Sequence, residues 1–260
     1  MSLTRERLLE EIGIKPVWKL RKPAGADAAE LPAAEASAGA AAAAAAAQPL
    51  STPAEAAGPV SEMGWPQLRD AVGACQRCGL CAERKQAVLG VGDEQADWLF
   101  IGEGPGAEED ARGEPFVGPA GQLLDAMLAA IDLQRGNNVY IANAVKCRPP
   151  GNRTPEANEI DVCRPWLQRQ IALLRPKLIV LLGKVAMHAV LNEDSALGAS
   201  RGKRFEYRDG DLVVPVIVTY HPAYLLRNLP DKAKAWEDLC LARRLMREQQ
   251  AGSRLPVGAH

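Results

Sequence analysis

The chain has 260 residues, 47% hydrophobic and 24% charged, an ordinary globular composition that can bury a core without staples. Its 31 basic and 32 acidic residues leave a formal net charge of -1, so net charge gives no support to nucleic-acid binding, which must rest on local patches. No run approaches the roughly 20 apolar residues that span a bilayer. The start of the chain has no apolar signal-peptide core, so a cytoplasmic protein is expected.

In chain order, residues 1–22 read as a short amphipathic helix or tail. Residues 23–60 are Ala, Pro, Gly and Ser with few large apolar groups; such a segment cannot offset its ordering entropy and reads as a disordered linker. Residues 61–250 form the folded domain, and 251–260 a C-terminal tail. Within the domain four short apolar runs read as strands buried on both faces: Trp98-Leu-Phe-Ile, Val139-Tyr-Ile-Ala, Leu178-Ile-Val-Leu-Leu and Val213-Val-Pro-Val-Ile-Val. Helical stretches separate them, over 121–132, 155–174, 184–192 and 231–250. The second opens with Thr154 as the expected N-cap and Pro155 at the first helical position. The alternation predicts a three-layer α/β/α sandwich around a mainly parallel, four-stranded sheet.

Polar and glycine-rich residues cluster just after each predicted strand: Gly102-Glu-Gly-Pro-Gly, Asn143, Gly183-Lys184 and His221-Pro222. Open α/β sheets bind ligands outside the carboxyl ends of their strands. A site is therefore expected at that edge.

Six cysteines in a cytosolic chain read as metal ligands rather than disulfides. Cys75-x2-Cys78 puts two thiols on one turn, and Cys147-x15-Cys163 puts a third past a strand and a fourth in the next helix. Four thiolates complete an iron–sulfur cluster or, alternatively, a zinc site. Zinc ribbons pair two short knuckles, and the second pair here is widely split. Cys81 extends a Cys-x2-Cys-x2-Cys run but lacks the Cys-Pro that completes a ferredoxin motif, so it reads as a bystander. Cys240 reads as core.

The glycines of Gly102–Gly106 let backbone amides approach a ligand, but their spacing is not the dinucleotide fingerprint. Glu103, Glu109 and Asp110 read as helix N-terminal acids or as one catalytic carboxylate. Asn143 carries a donor and an acceptor, suited to reading a pyrimidine edge. His221 is placed to donate to developing negative charge. Phe116 reads as core or as a stacking platform for a planar base. Leu225-Leu226 beside Arg227 read as core or as an apolar wedge next to a phosphate contact. Lys146, Arg148, Arg153 and Arg201-Gly-Lys-Arg204 supply basic groups for phosphates.

From about residue 70 to 247 these segments resemble the family 4 uracil-DNA glycosylases, the bacterial and archaeal iron–sulfur type. The resemblance rests on Cys75-x2-Cys78, Gly102-Glu-Gly-Pro-Gly-Ala-Glu-Glu-Asp110, Pro115-Phe-Val-Gly118 with Gly121-Gln-Leu-Leu124, Asn143-x2-Lys-Cys-Arg-Pro-Pro150, Cys163 and His221-Pro-x-Tyr-Leu-Leu-Arg227. It implies hydrolysis of the N-glycosidic bond of a flipped deoxyuridine in DNA, leaving an abasic site. It also implies a 4Fe–4S cluster on Cys75, Cys78, Cys147 and Cys163. Phe116 would stack on uracil, Asn143 would read its edge, and His221 would stabilise the departing anion. Gly104 and Gly106 would lie against the base. Lys146, Arg148 and Arg227 would contact DNA, and Leu225 or Leu226 would plug the vacated stack. In better-known uracil glycosylases a catalytic Asp stands where this chain has Gly104, and a thymine-excluding aromatic where it has Gly106. The water-activating role is therefore expected of Glu103, then Glu109. A covalent-trapping relative carries an Arg-rich insert ending in His. Residues 200–205 have no such His, so turnover is expected. Other expectations are a nucleoid-associated monomer that acts on uracil-containing DNA, with a repair or replication partner reached through the N-terminal extension. Alternative functions are a broader glycosylase for hypoxanthine or xanthine, and a non-catalytic iron–sulfur DNA-binding protein.

Overall fold

The computed structural model describes residues 59–252. The expectations for residues 1–58 and for the end of the C-terminal tail lie outside the described residues. The first helix, α1 (Trp65–Gly73), precedes the cysteine turn. Then follow β1 (Val91–Gly92), β2 (Trp98–Gly102), α2 (Ala107–Arg112), α3 (Pro119–Ala129), β3 (Val139–Asn143), α4 (Ala157–Leu174) and β4 (Leu178–Leu182). The chain continues through α5 (Lys184–Leu191), α6 (Leu197–Ser200), β5 (Arg204–Asp209), β6 (Leu212–Thr219), α7 (Pro222–Arg227) and α8 (Lys232–Gly252).

The sheet has six strands, in the order β1-β3-β2-β4-β6-β5, not the four expected. The four apolar runs are its parallel centre. The two strands that the sequence reading lacks are antiparallel edges, β1 against β3 and β5 against β6. One is two residues long. The other reads Arg-Phe-Glu-Tyr-Arg-Asp, and such charge protects an edge strand from mispairing.

Each central strand divides its side chains between two cores, as the two-residue period requires. Leu99, Ile101, Ile179, Leu181 and Val216 face one cluster, which α4 completes with Trp166 and Ile171. Trp98, Phe100, Leu178, Val180 and Ile217 face the other, with Leu124 of α3 and Leu245 of α8. Two buried faces make a three-layer α/β/α sandwich.

The helix expected from Pro155 begins at Ala157, with Glu156 as its cap residue. The amide of Glu156 donates to Glu159 Oε2 at 2.8 Å, which leaves Thr154 in the preceding loop. No helix among the described residues is long and apolar enough to cross a membrane.

Beneath the end of β3 lies a buried polar knot. Gln170 and Lys146 are 0% and 1% exposed. Lys146 Nζ donates to the Asn143 carbonyl at 2.8 Å and to Gln170 Oε1. Gln170 Nε2 donates to Leu89 O at 3.0 Å and to the Tyr140 hydroxyl at 3.2 Å. A half-broken network of this kind costs more than an apolar core. Gln170→Leu should therefore destabilise the fold by about 2–4 kcal/mol, read by urea unfolding, because it strips a buried ammonium of one acceptor.

Candidate functional site

The register sets Gly102 beside Asn143 and Leu182 beside Thr219, so the four central strands end together. At this edge opens a cleft of about 400 Å³. Glu103, Gly104, Gly106, Glu109, Phe116, Asn143 and His221 all line it. These are the catalytic and base-contacting candidates from the sequence, and the structure brings every one of them together.

Asn143 is 2% exposed, and its side-chain Oδ1 is buried without a hydrogen-bond partner. A buried acceptor left open is costly and marks a place for a ligand donor. Gly102 makes room for it. A Cβ on Gly102 would come within 2.6 Å of Asn143 Oδ1 and 2.4 Å of Phe116 Cζ.

Phe116 has a left-handed backbone, φ 56°, and its ring lies 5.4 Å from that of His221. Gly121 lets the two segments meet, because a Cβ there would sit 1.8 Å from the Phe116 carbonyl oxygen. Arg135, absent from the sequence candidates, donates to the carbonyls of Pro115 and Phe116.

Burial drives the two titrating groups in opposite senses. It pushes the Glu103 carboxyl up, against a hydrogen bond from Thr154. It holds His221 down at about 4, assisted by the charge of Arg227, so the ring is neutral at ordinary pH. His221 Nδ1 accepts from the Ala223 amide at 3.1 Å, which places the ring proton on Nε2.

Other candidates take different places. Glu109 Oε1 accepts from the amides of Val117 and Gly118 at 2.9 and 3.1 Å, and its Oε2 accepts from Gly106 at 3.1 Å. It staples two loops, with three backbone amides on its two oxygens. Asp110 is 1% exposed and accepts from the amides of Lys85 and Gln86. Lys146 is buried beneath the strand end and reaches no solvent, which rules out the expected DNA contact. Leu225 is 1% exposed and belongs to the core, whereas Leu226 is 42% exposed. Arg227 is exposed, and Arg148 donates from Nε to Asn152 Oδ1 at 2.7 Å. Arg153 forks onto Glu159 at 2.7 and 2.8 Å. Arg201 is held by Asp238 and lies 5.4 Å over the Tyr220 ring. None of residues 200–205 lines the cleft. The loop that does, through Asn152 to Pro155, has no His, so His221 is the single histidine among the lining residues.

A second, far smaller cavity, about 10 Å³ in volume, lies among the cysteines. Cys75, Cys78, Cys147 and Cys163 all line it, beside Arg84 and Lys146, and all four are unpaired. Cys81 does not line it. Arg84, also absent from the sequence candidates, donates to Cys147 Sγ at 2.8 Å and to the carbonyls of Gly73 and Cys75 at 2.7 and 2.9 Å. Burial pushes the thiols of Cys78 and Cys147 up, and that of Cys163 to about 11. Bound metal would invert this, since a coordinating thiol is deprotonated. Four thiols line one space, and among the described residues no group of three or more His, Cys, Asp or Glu side chains is set to hold a metal ion.

A sequence model of the uracil DNA glycosylase superfamily matches residues 89–240. The chain is 39% identical over 179 residues to the type-4 uracil-DNA glycosylase of Pyrobaculum aerophilum, covering 67% of this chain and 91% of that protein. It is 44% identical over 156 residues to the type-4 uracil-DNA glycosylase of Archaeoglobus fulgidus, covering 58% and 78%. Similarity to the type-5 uracil-DNA glycosylase of P. aerophilum is weaker, 34% over 155 residues, covering 53% and 66%.

The depressed His221 has a consequence for stability. The unfolded ring takes up its proton near 6.5, and the folded one only near about 4. Between these values the unfolded state binds more protons. Stability is thus complete above pH 6.5 and falls as the pH drops toward 4, by roughly 3 kcal/mol from this group. Urea unfolding of His221→Asn should show a flatter pH slope than wild type in that window.

Proposed function

The chain belongs to the uracil DNA glycosylase superfamily, and from that premise we propose that it hydrolyses the N-glycosidic bond of deoxyuridine flipped out of DNA, as the first step of base-excision repair. The observation that carries the reading is the buried, unpartnered Oδ1 of Asn143, a residue that lines the cleft. Uracil presents an N3–H donor beside its O4 acceptor, which match the carbonyl and amino groups of one amide. Cytosine presents the reverse pattern, an acceptor at N3 and an amino donor at C4, and would leave buried polar groups unpaired. A site of this kind rejects the wrong partner strongly.

The other roles follow from the same geometry. Phe116 supplies a stacking surface, worth about 1–3 kcal/mol per base. The neutral His221 ring donates from Nε2 to uracil O2 as the glycosidic bond breaks and negative charge moves onto the base. A neutral donor holds its proton through that step. Glu103, with its affinity for protons raised by burial, orients a water and takes its proton as the oxygen bonds to C1′. Gly104 and Gly106 admit the base closely. Arg148 and Arg227 are the groups left to meet phosphates, and Leu226 is the residue left to fill the vacated stack.

Cys75, Cys78, Cys147 and Cys163 would hold a 4Fe–4S cluster. When bound, it supplies cross-linking and negative charge rather than chemistry on the base, because none of the four thiols lines the cleft. The cations Arg84 and Lys146 fit the charge of such a centre. We also take the protein to act as a monomer on uracil-containing DNA.

The test is release of free uracil, with abasic sites left in uracil-containing single- or double-stranded DNA. No release from either substrate overturns the reading. Asn143→Ala and His221→Ala should each lower kcat/KM by about a hundredfold or more with the visible absorption of the cluster intact. Loss of that colour would make these residues structural. Thr154→Val removes a bond that favours ionised Glu103, so the acid limb of the kcat/KM profile should move to higher pH.

A further inference from the structure

The stacking residue of the cleft rests on a backbone that does not hold itself. Phe116 has φ 56°, a region sparse for non-glycine residues and unfavourable unless its surroundings fix it. Two of its supports lie within recognised motifs: Glu109 holds the following amides, and Gly121 admits the carbonyl. The third does not. Arg135 lies between α3 and β3, outside every segment on which the resemblance rests.

Each of its three guanidinium nitrogens donates a hydrogen bond. Nη1 donates to Pro115 O at 2.8 Å, Nη2 to Phe116 O at 2.8 Å, and Nε to Asp125 Oδ1 at 3.0 Å. The planar fork thus takes two successive carbonyls of the strained turn, and Asp125 of α3 aims it. Only a guanidinium makes all three bonds at fixed angles. Arg135 does not line the cleft, so it can act on a bound base only through the turn it holds.

We propose that Arg135 is a positioning residue for base stacking: it locks the left-handed turn at Phe116 so that the ring meets a flipped uracil already oriented. The proposal rests on the uracil-excision reading above. A merely structural role would stabilise the domain without acting through Phe116.

A double-mutant cycle on kcat/KM separates the two. Phe116→Ala should lose about ten- to a hundredfold, the worth of one stacked base. Arg135→Ala should lose about tenfold in the wild-type background, but less than about twofold when Phe116 is already Ala. Inhibition by free uracil should weaken in both single variants. Arg135→Lys keeps the charge near Asp125 but lacks the fork, and should behave as Arg135→Ala does. Melting temperature and cluster absorption, measured alongside, report on the fold. If Arg135→Ala does not fold, Arg135→Lys carries the same cycle. Equal losses in both backgrounds, no loss in the single variant, or full rescue by Lys would each overturn the positioning role while leaving uracil excision standing. An inactive wild type would overturn the excision reading and this role with it.

Discussion

Lys146 places an ammonium where water does not reach. Desolvation of such a charge is expensive, and here burial holds its pKa down to about 8, against the pull of the thiols of Cys163 and Cys147. Three partners make the position tenable: the Asn143 carbonyl, the Gln170 amide oxygen and the cysteine cavity beside it. The cleft and the cavity are therefore built around one side chain. Its Nζ fixes the backbone of Asn143, which lines the cleft, and the next residue along, Cys147, lines the cavity. Cys147 and Cys163 then bracket the loop that carries Arg153 and Thr154. A centre that pinned both cysteines would pin that loop and, through Thr154, the Glu103 carboxyl. A cluster there would support the cleft at a distance, because the chain between Cys147 and Cys163 is one of its walls.

The opposite wall is held by groups that do no chemistry. Glu109 takes three backbone amides, Arg135 takes two carbonyls, and Gly102 and Gly121 remove atoms that would collide with Phe116. Few residues remain to react. Burial is the main influence on Glu103 and His221, raising the first toward the protonated state and, with the charge of Arg227, holding the second neutral. One low-dielectric cleft would thereby supply a stronger base and a proton donor that keeps its proton, as where environments push neighbouring titrating groups apart.

The strand ends were legible in the sequence because fully buried parallel strands are apolar without interruption, and their carboxyl ends must converge. What stayed hidden depended on direction or on distance along the chain. Lys146 sits among motif residues, and its charge read as surface. Three positions past Asn143, at the turn of the strand, it points inward instead. Leu225 and Leu226 read as an interchangeable pair, yet successive residues on a helix point about 100° apart, so burying one exposes the other. Glu109 read as a candidate base, although a Gly-x-x-Glu start is also the signature of a helix cap. Arg135 acts on carbonyls 19 and 20 residues away, which no local pattern records. The edge strands carry too little apolar character to stand out from loops.

The two glycines that depart from the better-known glycosylases acquire a physical reason from the same packing. A Cβ on Gly104 would lie 2.8 Å from Val145 Cγ2, and Val145 is fully buried beside Lys146 in sequence. The valine cannot step aside without disturbing the strand end that Lys146 holds. A side chain at 104 therefore requires Val145 to shift, and the carboxylate that does line the cleft from this segment is Glu103, the neighbouring residue. A Cβ on Gly106 would lie 2.7 Å from Glu109 Oε2. An aromatic there would displace the staple that shapes the Phe116 loop. The glycines and the residues that crowd them form one solution: bracing takes the space, and in the proposed mechanism the carboxylate would come from Glu103 and much of the rate from stabilisation of the leaving base.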